Sequence, residues 1–382
     1  MEGEKPRSGI IDSIERHIEL LKPILPKQAS QVILCMGEYP AKILLKKSTP
    51  VRSNGALPIF IAKSRKDLAK WSNLNIESND VLGLDTDSDT HFWFQALPQV
   101  MQNAALISDL KNNLIDNVRY VIAVSSTWDG FGSASLPNLI SLLKEWKINS
   151  VGFALLPSKI QPPDAHFNAL ASLSMFVSKN KATLLLADRD YVESYVGVDR
   201  KGFSIKGNEI LNYLLSLMST KEKIVQELTE LSRSFEVKIF TILLATGTSL
   251  KIYGSIENIL KASLLKPFLA FDLARASVLY ILLRMPIFLK DKLPKEKIEL
   301  DITNWFKERA SFNSIHISEP IYVDDFTDRI DIVMFVGGFD ITAVLTSLQK
   351  KSETIKKQMV EQSFIKEDEW QALIEIWKKE KD

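Results

Sequence analysis

The chain has 382 residues, 46% of them hydrophobic and 25% charged, a composition typical of a soluble globular protein with two domains or one large one. Lysine and arginine number 48 and aspartate and glutamate 47, so the net charge of +1 does not favour nucleic-acid binding. The single cysteine, Cys35, excludes a disulfide framework within the chain. Because the sequence also shows no apolar signal core and no transmembrane segment, we expect a cytoplasmic protein.

The first half of the chain alternates strand and helix patterns. An amphipathic helix is predicted over Ile10–Lys22, before Pro23. Buried strands are predicted at Gln31–Met36, Pro58–Ala62, Val81–Leu84, Val118–Val124, Ser150–Leu156 and Thr183–Ala187. Helices are predicted over Phe94–Ile115, from near Leu136, and over Pro163–Lys179. This alternation indicates a Rossmann-like, doubly wound parallel sheet, whose ligands bind beyond the carboxyl ends of the strands.

The second half begins with a long helical stretch, Ile205–Ser234, which forms either one long helix or two segments. Strands are then predicted at Val237–Ala245, Ala276–Leu283, Ser314–Val323 and Ile330–Gly337, with helices over Ser255–Leu265 and Ile298–Arg309. These patterns predict a second, smaller α/β domain with a mixed sheet. At the end of the chain, Trp370, Leu373, Ile374 and Trp377 recur at helical spacing, which favours a packed or partner-binding helix over a membrane-surface one.

The segment after the strand Val118–Val124 organises the first half. The loop Ser125–Ser135 contains Gly130 and Gly132, which let the backbone approach a ligand closely, and it leads into a helix whose first N–H groups attract anions. A phosphate site is one interpretation of this loop. The other is an ordinary tight strand-to-helix turn, in which glycine and serine are common.

The order of parts resembles the tubulin/FtsZ superfamily over about residues 30–342. The motifs that carry the resemblance are SSTWDGFGSASLPNLISLLKEWKINSVGFALLPS (125–158), KGNEILNYLLSLM (206–218), MFVGGFD (334–340) and LPIFIAKSRKDLAKWS (57–72). The resemblance implies a nucleotide-binding-type domain over 30–204, a central helix with its following loop over 205–235, and a C-terminal domain over 236–344. A helical extension (1–29) and a helical tail (345–382) would flank them.

The resemblance also implies a nucleotide site. It places the phosphate-binding glycine-rich signature loop at 126–133 and the residue that reads the guanine edge at Asn208. The implied cofactor is GTP or GDP, with Mg²⁺ present only together with nucleotide. The residues placed around the nucleotide are Gly37, Trp128, Asp129, Gly130, Phe131, Gly132, Ser133 and Asn208.

The signature loop departs from the family pattern, GGGTGTG or GGGTGSG. Trp128 replaces a glycine that leaves room for phosphate, and Asp129 replaces a threonine. Two unit charges ~4 Å apart repel by about 4 kcal/mol at an effective dielectric near 20, which weakens binding about a thousandfold. Pro40, in the loop after the first strand, removes a further N–H donor.

Hydrolysis in this family needs an acidic residue from the loop after a neighbouring subunit's central helix. The matching region offers Glu227 and Glu230, and we assign the catalytic role to Glu230 by analogy. No metal site is expected, because the four histidines have no ligand spacing. A cation among Asp85, Asp87 and Asp89 is the alternative to an ordinary acidic turn.

The sequence therefore favours a divergent tubulin/FtsZ-like scaffold for the cytoskeleton or cell division. It would self-associate end to end, or with another such subunit, and bind GTP weakly or not at all. One alternative is an active GTPase that forms filaments. The other is a monomeric adaptor that docks a partner through the helix bearing Trp370 and Trp377.

Overall fold

The computed structural model describes residues 30–46, 54–66, 68, 80–86, 88–114, 118–179, 182–221 and 223–379. The predicted helix Ile10–Lys22 and the rest of the extension 1–29 lie outside the described residues. No helix within the described ranges is long and apolar enough to cross a membrane.

A parallel sheet forms the first half of the molecule. Its strands follow the order β3-β2-β1-β4-β5-β6, the arrangement of a doubly wound Rossmann-type sheet, and this confirms the predicted α/β fold class. Every residue of β4 is buried, as expected for a strand covered by helices on both faces. The strands are β1 (Gln31–Met36), β2 (Ala56–Ala62), β3 (Val81–Gly83), β4 (Tyr120–Ser126), β5 (Asn149–Leu156) and β6 (Thr183–Asp188).

The second half continues this sheet. The strand β9 pairs in parallel with β6, β13 pairs antiparallel with β9, and β10 pairs antiparallel with β13. The mixed sheet predicted for the second half is present, and in the described part of the chain it is continuous with the parallel one as a single eleven-stranded sheet. Its strands are β9 (Ile239–Ser249), β10 (Val278–Pro286), β11 (Ser314–Ile317), β12 (Ile321–Val323) and β13 (Arg329–Gly337), while β7 (Val196–Val198) and β8 (Ser204–Lys206) form a separate hairpin.

Helices cover both faces of the sheet. The first-half helices are α1 (Glu38–Lys46), α2 (Trp93–Gln102), α3 (Ala104–Leu114), α4 (Gly130–Glu145), α5 (Pro163–Lys179) and α6 (Arg189–Glu193). The others are α7 (Glu209–Ser219), α8 (Ile224–Ser234), α9 (Leu250–Tyr253), α10 (Ile256–Ser263), α11 (Lys295–Lys307), α12 (Thr342–Glu361) and α13 (Glu367–Lys379).

Two helical stretches are each divided. The stretch Phe94–Ile115, predicted as mainly helical, forms α2 and α3, because the Asn103 side chain accepts a hydrogen bond from the Leu106 N–H and so caps a second helix. The central stretch forms the two segments α7 and α8, the second of the two alternatives, but the prediction that it is helical from Ile205 was wrong, because Ile205 and Lys206 belong to β8. The Thr220 N–H and hydroxyl both donate to the Leu217 carbonyl, which ends α7.

The C-terminal helices fold back on the first half of the molecule. Helix α12 packs along α5, and Trp370 on α13 stacks on Phe167 of α5 with ring centroids 4.8 Å apart. Trp370 is only 2% exposed. The helix that was predicted to be packed or partner-binding is therefore packed through Trp370, whereas the Trp377 side chain lies outside the described part.

We expect Trp370→Ala to lower the free energy of unfolding by about 3–5 kcal/mol, because it leaves a cavity against Phe167. Urea unfolding followed by circular dichroism measures this change. Gln371→Ala, on the exposed face of the same helix, is the matched control and should change the stability by less than about 0.5 kcal/mol. Equal effects of the two substitutions would contradict the packing described here.

Candidate functional site

The candidate site lies at the carboxyl edge of the parallel sheet, where β1 and β4 are neighbours. The strand order reverses between these two strands, and ligands of doubly wound sheets bind in the crevice at such a point. Gly37 follows β1 and the signature loop follows β4, so the fold brings the two predicted loops together. A Cβ atom at Gly37 would lie 2.6 Å from the Ser126 Oγ and 3.2 Å from an Asp129 carboxylate oxygen.

Asp129 caps the helix that follows β4. One carboxylate oxygen accepts a hydrogen bond from the Gly132 N–H at 2.6 Å, and the other accepts from the Ser126 hydroxyl at 2.6 Å. Helix α4 therefore begins at Gly130, and the prediction that it begins near Leu136 was wrong. The glycine-rich segment forms the first helical turn, because Asp129 satisfies one of its N–H groups from within the chain.

The two glycines of this segment make room for the protein's own backbone. A Cβ atom at Gly130 would meet the carbonyl oxygens of Thr90 and His91, which lead into α2. A Cβ atom at Gly132 would meet the carbonyl oxygen of Ser126. Close internal packing therefore accounts for both glycines without a ligand.

The remaining loop residues also turn inward. The Ser133 hydroxyl donates to the Gly130 carbonyl at 2.9 Å, and the Ser133 N–H donates to the Asp129 carbonyl at 3.0 Å. The Phe131 side chain is 4% exposed and packs in the main apolar core. Ser133 and Phe131 thus have structural partners in the places where the resemblance expected phosphate contacts.

An aromatic cluster, Tyr39, Trp128, Arg189 and Glu193, lies beside the capped helix. The Tyr39 and Trp128 rings meet edge to face with centroids 5.0 Å apart, and the Arg189 guanidinium lies 4.9 Å and 5.2 Å from their centroids. Glu193 accepts from the Tyr39 hydroxyl at 3.1 Å and from the Arg189 Nε at 2.7 Å. The indole at position 128 therefore packs against side chains of α1 and α6.

Pro40 lies within the first turn of α1, not in a loop. Because the first N–H groups of a helix have no partner inside the helix, the missing N–H costs no helical hydrogen bond, but it removes one donor from this helix start, as the sequence predicts. Proline is compatible with this position and fixes the course of the chain that carries Tyr39.

Asn208 lies at the start of α7, and its side chain makes no capping hydrogen bond. The residue is exposed, and its side chain lies near enough to the Tyr39 hydroxyl to oppose the rise in the pKa of that group. Tyr39 thus lies near both Asn208 and Trp128, so the structure brings most of the predicted nucleotide-site residues to one place.

Burial changes the protonation of two groups here. It raises the pKa of Asp129, against the opposing effect of the hydrogen bonds from Ser126 and the Gly132 N–H. Burial, together with the Glu193 carboxylate, also raises the pKa of Tyr39, which therefore remains a hydroxyl donor. The site thus contains an internal carboxyl group at the end of the helix where an external anion would bind.

Glu230 lies away from this site, on the exposed side of α8. Its carboxylate accepts from the Gln226 amide at 2.8 Å, and Gln226 in turn accepts from the hydroxyl of Tyr120, the first residue of β4. Since β4 is seven residues long, Glu230 lies near the opposite edge of the sheet, roughly 20 Å from the signature loop.

The neighbouring Glu227 has structural partners instead. Its carboxylate accepts from the Tyr280 hydroxyl at 2.6 Å, lies 2.9 Å from the Lys221 Nζ and is 3.8 Å from the His316 Nε2. Burial alone would raise its pKa, but these interactions outweigh it and lower the pKa to about 2. Glu227 connects the central helix to β10 and β11.

Two carboxylates of the acidic turn after β3 accept hydrogen bonds from other residues of the chain. Asp85 accepts from the Arg65 backbone N–H and Nε, and Asp89 accepts from the His91 N–H and the Gln95 amide. Asp87 lies outside the described residues. Among the residues that the structure does describe, no group of three or more His, Cys, Asp or Glu could hold a metal ion.

Sequence reasoning missed three contributors: Tyr39, the Arg189–Glu193 pair and the capping role of Asp129. The third had a usable signal, because an aspartate directly before a helical pattern is a common N-cap. Arg189 and Glu193 also stand four residues apart directly after a strand, the spacing of a helical ion pair. Their meeting with Tyr39 depends on the fold and has no local signal.

We expect Asp129→Ala to lower the free energy of unfolding by about 1–2 kcal/mol, because the helix loses its cap. Asp129→Asn retains an acceptor for the Gly132 N–H, has no charge to bury, and should be at least as stable as the wild type at neutral pH. The pKa of Asp129 in the folded protein lies above its ordinary value of 3.8. The free energy of unfolding of the wild type should therefore fall, relative to that of Asp129→Asn, as the pH rises from 3.8 through the folded pKa. Urea unfolding of all three proteins from pH 4 to 8 tests this, and an equal loss of stability in Asp129→Ala and Asp129→Asn would contradict it.

We expect Glu227→Gln to lower the free energy of unfolding by about 1–3 kcal/mol at pH 7. Since the carboxyl pKa falls from 4.5 to about 2 on folding, this stabilisation is present above pH 4.5 and is lost as the pH falls towards 2. Glu230→Gln is the matched control on the same helix and should change little at either pH. Chemical unfolding at pH 7 and pH 3 measures the difference in stability between the wild type and Glu227→Gln. A difference that is as large at pH 3 as at pH 7 would contradict the lowered pKa of Glu227.

Solved structures with the same fold place the chain among known architectures. CetZ from Methanosaeta thermophila is 13% identical with a TM-score of 0.68, over 92% of this chain and 98% of that one. CetZ2 from Haloferax volcanii, in a GTPγS-bound protofilament, is 16% identical with a TM-score of 0.67, over 86% and 99%. FtsZ from M. jannaschii, an empty dimer, is 13% identical with a TM-score of 0.59, over 87% and 95%.

At the level of sequence, no protein-family model and no curated protein matches the chain. The likeness is therefore one of fold. The chain has the tubulin/FtsZ fold that the sequence resemblance predicted.

Proposed function

We propose that this protein is a tubulin/FtsZ-like scaffold that self-associates end to end and has weak or lost GTP binding and hydrolysis. The observation that carries the proposal is the Asp129 carboxylate, which accepts from the Gly132 N–H at the start of α4. A phosphate group at this position would compete with a carboxylate held by two hydrogen bonds. It would also meet repulsion of about 4 kcal/mol if both groups were charged ~4 Å apart.

The aromatic cluster supports the same proposal. Trp128 occupies the place where the signature pattern has a glycine, and it packs against Tyr39 and Arg189. To admit a nucleotide, these rings would have to separate. That change would reduce the net affinity for a ligand.

Self-association is supported by the solved structures with this fold. CetZ2 forms a protofilament in its GTPγS-bound structure, and the M. jannaschii FtsZ structure is a dimer. That dimer is empty. For the present chain we propose that association likewise needs no nucleotide.

The rival function is an active GTPase, with Gly130, Gly132 and Ser133 at the phosphates and Glu230 acting across a subunit contact. The GTPγS-bound CetZ2 structure favours this alternative. In the adaptor alternative Trp370 could contact a partner only after leaving Phe167, where it is 2% exposed. Measurements of nucleotide affinity and of assembly separate these functions.

We expect isothermal titration calorimetry to detect weak GTP binding or none, with or without Mg²⁺. The double variant Trp128→Gly, Asp129→Asn should bind GTP at least about tenfold more tightly, because it removes both the ring and the charge. Asp85→Asn, which removes a carboxylate elsewhere on the same edge, is the control and should not gain affinity. Tight, Mg²⁺-dependent GTP binding by the wild type would overturn the proposal.

A sedimentation assay completes the test. The wild-type protein should form the same amount of pelletable polymer with GTP, with GDP and without nucleotide. Polymer that requires GTP, and that Glu230→Gln stabilises by blocking hydrolysis, would instead support the GTPase.

A further inference from the structure

A cleft of about 1130 Å³ opens at the amino edge of the sheet, where β5, β6 and β9 begin. Its lining includes Asn149, the first residue of β5, Ala182, which directly precedes β6, and Ile239, the first residue of β9. Pockets that take one small molecule have volumes of about 300–1,000 Å³, so this cleft has room for several side chains of a chain segment. The candidate site lies at the other end of the same strands.

The lining of the cleft is apolar and basic. Four basic and two acidic side chains line it, so its formal charge is +2. Arg275 pairs with Asp340 at 3.2 Å, whereas the exposed side chains of Lys144 and Arg233 form no hydrogen bond or ion pair with another described residue. Two positive charges are therefore available to an occupant. The apolar side chains of the lining include Ile148, Val237, Ile239, Phe339, Ile341 and Leu345.

The chain enters the sheet close to this cleft. The N–H groups of Arg119 and Tyr120 donate to the Ser30 carbonyl at 2.9 Å and 3.1 Å, which holds residue 30 beside the start of β4. The Asn149 N–H donates in turn to the Arg119 carbonyl at 3.2 Å. Since neighbouring strands lie about 4.8 Å apart, residue 30 lies about 10 Å from Asn149 in the cleft wall. Because β1 is parallel to β4 and β5, the chain before Ser30 leaves the sheet at the same edge as the cleft.

Residues 10–22, which lie outside the described residues, have a sequence that matches the cleft. Four apolar residues recur at i, i+4, i+8 and i+11, namely Ile10, Ile14, Ile18 and Leu21. A helix of these residues has one apolar stripe and is about 20 Å long. Three acidic residues recur at i, i+3 and i+7, namely Asp12, Glu15 and Glu19, and two basic residues leave the segment with a net charge of −1. An apolar stripe with excess carboxylates complements an apolar cleft with excess basic side chains.

The connection to the sheet favours the cleft of the same chain. Residues 23–30 span at most about 26 Å when extended, which exceeds the distance of about 10 Å from residue 30 to the cleft wall. A short tether gives an effective concentration in the millimolar range. A segment from another copy, present at micromolar concentration, would be at a disadvantage of about a thousandfold. The segment of the same chain is therefore the favoured occupant.

We propose that residues 10–22 form an amphipathic helix that docks in the cleft at the amino edge of its own chain. The apolar stripe packs on Ile148, Val237 and Phe339, and the carboxylates lie near Lys144 and Arg233. The docked helix covers apolar surface at this edge and controls the access of other molecules to it. The inference is independent of the self-association proposed above, because the contact forms within one chain.

Hydrogen exchange of the full chain, measured by mass spectrometry, tests the docking. The double variant Ile14→Asp, Ile18→Asp places two charges in the apolar stripe. It should raise the exchange rates of the backbone amides at 236–238 and 338–342 by about tenfold or more, because the docked state is no longer populated. The double variant Ser13→Asp, Leu20→Asp makes the same change of charge outside the stripe and should leave these rates unchanged. Circular dichroism confirms that both variants are folded.

Cross-linking tests which copy supplies the segment. The native Cys35 is fully buried, so introduced cysteines can be labelled selectively. His17→Cys combined with Asn149→Cys, treated with a short bis-maleimide, should give a cross-link within monomers that mass spectrometry identifies. His17→Cys combined with Ile160→Cys is the matched control. The Ile160 side chain is 94% exposed and follows the other end of β5, so no cross-link is expected there.

The outcomes separate this inference from the proposed function. A cross-link within monomers, together with faster exchange in Ile14→Asp, Ile18→Asp, supports the inference. Unchanged exchange in that variant, or equal cross-linking to positions 149 and 160, overturns it. A cross-link that joins two copies also overturns it, because the segment then docks on a second chain. None of these outcomes depends on whether the wild type forms polymer, so the scaffold proposal is tested separately.

Discussion

The hydrogen bond from the Gly132 N–H to the Asp129 carboxylate determines the character of the candidate site. A helix N-terminus has unpaired N–H groups and a partial positive charge, and it can be satisfied by a bound anion or by a side chain. In this protein the side chain comes from the residue directly before the helix, and the Ser126 hydroxyl holds the second carboxylate oxygen. One N–H group at the start of α4 is thereby satisfied by a side chain of the chain itself, and the backbone approaches closely at Gly130 and Gly132 in the same turn.

Three side chains near this turn, Tyr39, Trp128 and Arg189, contact one another. Tyr39 comes from α1, Trp128 from the loop after β4, and Arg189 from α6, so three elements at the carboxyl edge of the sheet converge on one cluster. In most doubly wound proteins this crevice is open to ligand. Here it is bridged by an edge-to-face ring pair and a guanidinium. The fold places these side chains at the edge where doubly wound sheets bind ligands, and the Asp129 carboxylate satisfies one N–H group of the helix there.

The sequence predicted the sheet well because its strands are strongly patterned. Runs such as Gln31–Met36 and Ser150–Leu156 are mostly apolar on both faces, so the local sequence alone predicts that these strands are buried. It also located the crevice, since Gly37 and the signature loop follow neighbouring strands. It misplaced the start of α4, because glycines were taken as loop formers although Asp129 supplied the cap. The packing of Trp370 on Phe167 and the contact between Tyr39 and Trp128 join residues far apart in sequence, and no local pattern encodes such pairs.

The central claim is that the protein's own carboxylate and indole occupy the place of a triphosphate. The most direct measurement is the nucleotide content of the freshly purified protein, released by denaturation and separated by ion-exchange chromatography. Our account predicts an amount of guanine nucleotide far below one per chain. A stoichiometric amount of GTP or GDP would contradict it.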